Sequence, residues 1–202
     1  MRAGHLEKRT AIRAAGRVLT LAAVCLVPVL GFAPARAAAG ASQSIDWQAR
    51  LKQELPLLGH RNWIAVVDSA YPLQTSTGIE TIETDDDQLD VVKTVLDQVG
   101  KAKHVRPVIF TDAELKVVPE SDAKGVTSYR GALAKALGKN EAQSLPHEEI
   151  IAKLDEAGKT FHILVLKTRM TIPYTSVFIR LDCGYWSDDA EKRLRAAMAG
   201  AQ

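Results

Sequence analysis

Apolar positions recur along this chain in two alternating rhythms. Trp47, Leu51, Leu55 and Leu58 are spaced as one face of a helix, with Asp46 placed to cap its start and Pro56 and Gly59 to end it. An unbroken apolar run, Trp63 to Val67, follows at once; this is the pattern of a strand covered on both faces. The pair then repeats. Behind Asp87, the residues Leu89, Val92, Val95, Leu96 and Val99 predict an amphipathic helix closed by Gly100, and Val105 to Phe110 predicts a second strand. A short β segment is expected at Leu115 to Val118. Gly125 to Leu137 reads as a helix stopped by Gly138. A further helix runs from Pro146 to Gly158 on Ile150, Ile151, Leu154 and Ala157, and Phe161 to Leu166 and Val177 to Leu181 read as two more strands. A last helix, Ser187 to Met198, has so few apolar side chains (Ala190, Leu194, Ala197, Met198) that it is expected to pack on the surface. Helix and strand thus alternate, which predicts one α/β domain of three layers, α/β/α, with a largely parallel sheet. No internal repeat is present.

The first residues do not belong to that rhythm. A basic head (Arg2, Lys8, Arg9, Arg13, Arg17) precedes an apolar stretch from Val18 to Ala33, and Ala35-Arg36-Ala37 has the small residues that suit a signal peptidase. The apolar stretch has 16 residues, fewer than the roughly 20 of a spanning helix. The expected organisation is a signal peptide over 1–37, a flexible segment over 38–45, the α/β domain over 46–186 and a surface helix over 187–202. The expected location is periplasmic or secreted, with no stable membrane anchor after cleavage. Removing residues 1–37 takes a net +5 from a whole-chain +2, so the mature chain carries −3. The basic balance of the whole sequence therefore gives no reason to expect a nucleic-acid partner. Of the two cysteines only Cys183 remains, so an internal disulfide is excluded from the mature chain.

Several chemistries lack their motif. Gly138-Lys139 has neither the upstream glycine nor the following Ser or Thr of a phosphate loop. His147-Glu148-Glu149-Ile150-Ile151 has isoleucine where a zinc-protease helix needs its second histidine. Asp85-Asp86-Asp87 lacks the glycine and final glutamate of a calcium loop, and no Gly-x-Ser-x-Gly elbow occurs. Neither a metal nor a cofactor is expected. The groups left for proton transfer on a neutral polar ligand are His60, Asp68, His147 and Tyr174. Each also has a structural reading: His60 can complement the carbonyl end of the helix before it, Asp68 can satisfy turn amides, Tyr174 can pack at a strand entry, and His147 can be a solvated first-turn residue. His104 and His162 have no supporting context and read as structural.

Gly59-His60, an apolar strand, then Asp68 with Pro72 four residues on, resembles the opening of the D-ribose pyranase and L-fucose mutarotase family. There, Gly-His leads into a strand ending in Asp-Ala-x-x-Pro. The far end agrees: His147-Glu148, Thr168, Pro173-Tyr174 and the strand Val177 to Leu181 with Gly184 resemble that family's closing segments. The resemblance covers about residues 46–72 and 161–184. It departs at Arg169-Met170, where the family has Gly-Glu, and at Thr175-Ser176, where an asparagine amide gives way to the shorter Ser176 hydroxyl.

The resemblance implies a monosaccharide mutarotase or pyranase, which needs no cofactor. One proton leaves the anomeric hydroxyl and one reaches the ring oxygen, and the open-chain carbonyl then recloses. His60 is the expected general acid/base, since an imidazole offers both protonation states near neutrality. Asp68, His147, Tyr174 and Ser176 are the expected substrate-binding groups. Eight extended steps between residues 60 and 68 span roughly 26 Å, too far for one sugar. Either the ends of the segment curl inward, or His60 of one subunit meets Asp68 of another across an interface; the ring-shaped assemblies that the resemblance implies point to the second, and a homo-oligomer is expected on that basis. The alternative is a carbohydrate-binding protein without turnover, and a further one is a structural or interaction module.

Overall fold

The computed structural model describes residues 46–200, so the expected signal peptide and the 38–45 segment lie outside the described residues. In chain order the elements are α1 Trp47–Glu54, β1 Trp63–Val67, β2 Ile79–Glu83, α2 Gln88–Lys101, β3 Val105–Asp112, a 3₁₀ turn Ala113–Lys116, α3 Val126–Leu137, β4 Ala142–Leu145, α4 His147–Ala157, β5 Ile163–Lys167, β6 Val177–Cys183 and α5 Asp188–Gly200. Asp46 and Asp87 cap α1 and α2 as the sequence predicts, accepting from the amides of Gln48 and Ala49 and of Leu89. His104 is the residue that closes α1 at its other end, with Nε2 3.1 Å from the carbonyl oxygens of both Leu55 and Leu58. The role open to His60 on sequence grounds is thus taken by His104.

The six strands form one sheet in the order β2-β5-β1-β6-β3-β4. β1 pairs parallel with β5, β2 with β5, and β3 with β4; β6 alone runs antiparallel, between β1 and β3. All five β1 side chains are buried because both faces are covered. Ile64 and Val66 join α1, α2 and α3 on one side. Trp63, Ala65 and Val67 join Ile150 and Leu154 of α4 on the other. This is the three-layer α/β/α arrangement with a mainly parallel sheet. Among the described residues no helix is long and apolar enough to cross a membrane.

Three local expectations change. Leu115 to Val118 is not β: the chain turns into the 3₁₀ segment directly after Asp112, because Leu115 packs back under α3 in the core while Val117 stays exposed. Strands β2 and β4 were not foreseen. Both are sheet edges, so their side chains are mostly exposed or half-buried and show no apolar run. The terminal helix forms, but among its residues none is buried.

Candidate functional site

The parallel strands β1, β3 and β4 point their carboxyl ends at one edge of the sheet, and antiparallel β6 begins there. The register makes this explicit, for Val66 and Thr111 flank Val177, and Leu145 lies beside Asp112. Residues just beyond those ends are brought together although they are far apart in sequence, which is where open α/β sheets hold ligands. Asp68 follows β1, Asp112 closes β3, His147 opens α4 after β4, and Tyr174 and Ser176 precede β6. Asp68, His147 and Tyr174 share a cleft of about 560 Å³ with Tyr71, Gln74 and Ile172, within the range of small-ligand pockets. Ser176 lies beneath it and donates to Asp68 Oδ2 at 3.2 Å, while Asp68 Oδ1 accepts from the Ala70 amide at 2.9 Å.

His147 is the most firmly held group of the cleft. Its Nδ1 is 3.1 Å from Asp112 Oδ1, and its backbone N–H donates to both oxygens of Glu114 at 3.1 Å. Pro146 offers α4 no side-chain cap, so Glu114 takes that task from a separate segment. Asp112 is 1 % exposed and its Oδ2 has no partner among the described residues. Burial pushes this carboxyl above the usual range; the His147 contact pulls it down, and the charges of Glu114 and Asp68 push it further up. With Asp112 ionised, the accepting carboxylate fixes the proton of a neutral His147 on Nδ1 and leaves Nε2 as the nitrogen available to a ligand. The Tyr174 ring meets the imidazole edge-on, with centroids 5.7 Å apart. Tyr174 itself has φ +59°, a left-handed conformation uncommon for a residue of this size.

Its position is fixed from below. Tyr129 Oη lies 2.9 Å from both the Thr175 carbonyl oxygen and Gln88 Oε1, and Gln88 Nε2 donates to the same carbonyl at 3.1 Å. All three residues are buried, so the backbone between Tyr174 and Ser176 is pinned to α2 and α3. Burial, chiefly, pushes the Tyr71 phenol up to about 12, so Tyr71 enters the cleft as a neutral hydroxyl.

His60 lies at the opposite edge of the sheet. Its exposed imidazole sets Nδ1 2.7 Å from Asp182 Oδ1, and Arg106 donates to the other oxygen of Asp182 at 2.6 Å. Burial would raise the Asp182 carboxyl, but the Cys183 amide, His60 and Arg106 outweigh it and hold it below the usual range. A second cleft of about 510 Å³ gathers His60, Arg61, Arg106, Asp182, Tyr185 and Trp186. Of the five residues chosen from sequence, four therefore meet within one chain and His60 stands apart. Asp112, Glu114 and Asp182 were missed. Asp112 and Asp182 each lie within two residues of the end of a predicted strand, and that position was the one available signal.

One cluster has the composition of a metal site. Glu54, Glu80 and His162 bring ligand atoms within 4.8 Å of one another. Arg50 already bonds both carboxylates, at 2.8 and 2.9 Å to Glu80 and 2.9 Å to Glu54. The carboxylates therefore serve as ion-pair partners that tie α1 to the β2 edge.

Among solved structures the chain is similar to Bacillus subtilis RbsD complexed with D-ribose, at 18 % identity over 66 % of this chain and 92 % of that one, with a TM-score of 0.48. It is similar as well to FucU from Bifidobacterium longum, at 14 % identity over 66 % and 94 %, TM-score 0.44. A third is the fucose mutarotase in complex with L-fucose from Streptococcus pneumoniae, at 16 % identity over 66 % and 91 %, TM-score 0.42. No family model and no curated protein matches.

Proposed function

We propose that this protein is an exported monosaccharide mutarotase or pyranase that opens and recloses a sugar ring by acid/base catalysis. The observation that carries the reading is His147, held by the buried Asp112, in the same cleft as Asp68 and Tyr174. An oriented imidazole, a carboxylate, a neutral phenol and an aromatic face are what a polyhydroxylated ring requires, and the step needs no redox partner. Asp68 accepts from sugar hydroxyls, Tyr174 covers or donates to the ring, and His147 bonds a hydroxyl through Nε2. Ser176 acts through Asp68, whose second oxygen it holds.

His60 is the general acid/base in this reading. It removes the proton of the anomeric hydroxyl and returns one to the ring oxygen, and it does so from a neighbouring copy, because its own strand separates it from its own cleft. The assembly is a homo-oligomer with its sites at subunit boundaries. A carbohydrate-binding protein without turnover is the second reading. It is favoured by Asp68, both of whose oxygens already accept internal hydrogen bonds.

Magnetisation-exchange NMR across a panel of pentoses, hexoses and deoxyhexoses tests the enzyme reading. Faster anomer or ring-form exchange that is lost in His60→Ala supports it. Acceleration of no sugar overturns it, and a ligand-dependent rise in melting temperature under those conditions selects the binding reading. Export is tested by mass analysis of the protein recovered from cells expressing the full chain, where cleavage after Ala37 is expected.

A further inference from the structure

Helix α5 leaves the domain almost at once. Ala190 and Glu191 are half-buried, and every residue from Lys192 to Gly200 is exposed. What holds its base is local: Ser187 Oγ accepts from the Ala190 amide, Trp186 Nε1 donates to Glu191, and Arg106 pairs with Asp188 at 2.7 Å. A helix of 13 residues, none of them buried, is marginal in water. Yet this one carries a seam: Ala190, Leu194, Ala197 and Met198 recur at helical spacing, with Leu194 42 % and Met198 51 % exposed, and the exposed Trp186 stands at its foot.

The charges say what fits the seam. Asp188, Asp189 and Glu191 fill the first turn, and Lys192, Arg193 and Arg195 follow. That order is complementary to itself when reversed. We propose that α5 pairs antiparallel with α5 of a second copy of this chain. Setting Ala190 against Leu194 of the second copy places Met198 over the other copy's Trp186. The same register brings Glu191 beside Arg195, and Asp189 beside Arg193, of the facing helix, on the two flanks of the seam. The pairing uses no residue of the Asp68–His147 cleft and stands or falls independently of the sugar chemistry.

Sedimentation velocity on protein purified from cells expressing the full chain tests this. Deleting 187–202 is expected to halve the sedimenting mass. R193E/R195E and D189R/E191R are each expected to halve it as well, and an equimolar mixture of the two is expected to restore it, since opposite charges then face one another. Asp189, Arg193 and Arg195 are exposed and Glu191 is half-buried at the base of the helix, all of them outside the core of the domain, and far-ultraviolet circular dichroism checks that the helix persists. Unchanged mass in the deletion or in either charge variant overturns the proposal, as does a mixture that fails to reassemble. Co-sedimentation of the helix-dependent material with phosphatidylglycerol vesicles, without any self-association, also overturns it.

Discussion

His147 Nδ1 lies 3.1 Å from Oδ1 of Asp112, a carboxylate that water does not reach. A buried carboxylate with one oxygen unpartnered costs stability, and its cost has a use if it holds an imidazole in one tautomer.

Asp112→Asn separates these two effects. The amide keeps the shape but no longer fixes the Nδ1 proton, so turnover is expected to fall about 10- to 100-fold, as when other orienting partners are removed. Burial raises the Asp112 carboxyl, so its folded value lies above its unfolded value of about 3.9. The contribution of this group to stability is therefore complete below that value and is lost as pH rises through the folded value. Thermal unfolding from pH 4 to 8 is expected to show wild type losing stability relative to Asp112→Asn over that interval. At neutral pH the variant is expected to be no less stable than wild type, and a lower melting point there would contradict this account.

At the other edge of the sheet the sign reverses. Asp182 is held below its ordinary range by the Cys183 amide, His60 and Arg106 against the opposing effect of burial. Its contribution is present above the unfolded value and disappears as pH falls through the folded one. Asp182→Asn should lower the melting temperature at pH 7, and the gap to wild type should close on acidification toward pH 3. The imidazole of His60 should also lose its fixed orientation, which its ¹⁵N chemical shifts would report.

Tyr129→Phe removes the hydroxyl that meets the Thr175 carbonyl, an acceptor then left with Gln88 alone. A loss of about 1–2 kcal/mol in denaturant unfolding is expected. The strained Tyr174 should relax at the same time, seen as weaker sugar binding although Tyr129 is remote from the cleft opening.

Gly184→Ala tests a close approach of backbone to backbone. A methyl group at this position would lie 2.6 Å from the Lys103 carbonyl oxygen and 2.8 Å from the Val105 amide nitrogen. Neither partner is a flexible side-chain end, so β6 and the start of β3 must separate. An unfolding penalty of about 2–3 kcal/mol, in the range of backbone strain and overpacking, is expected.

The covered parts of the fold were legible from sequence because covering leaves a pattern. Trp63 to Val67 could only be a strand with both faces buried, and Val91 to Val99 could only turn one face inward. The edges left no such mark: β2 has only Ile79 and Ile82 among polar neighbours, and β4 is largely exposed. Asp68, His147, Tyr174 and Ser176 could be picked out as candidates because each borders an element that the periodicity located. Asp112 and Glu114 were not, since their task depends on the register between β3 and β4 and on an irregular turn, and neither is written in local composition. His104 shows the converse. Its contact with two carbonyls 46 and 49 residues upstream is a tertiary fact, and a lone histidine in the sequence gives no hint of it.

The reversed strand β6 begins at Ser176's end of the sheet and finishes at Asp182's, so one rigid seven-residue rod joins the floor of the cleft to the holder of His60. A one-residue insertion or deletion within it would turn every following side chain to the opposite face. The two polar ends are thus coupled through the length of one strand: a substitution at either end leaves the span between them unchanged, whereas a change of length in the strand displaces both.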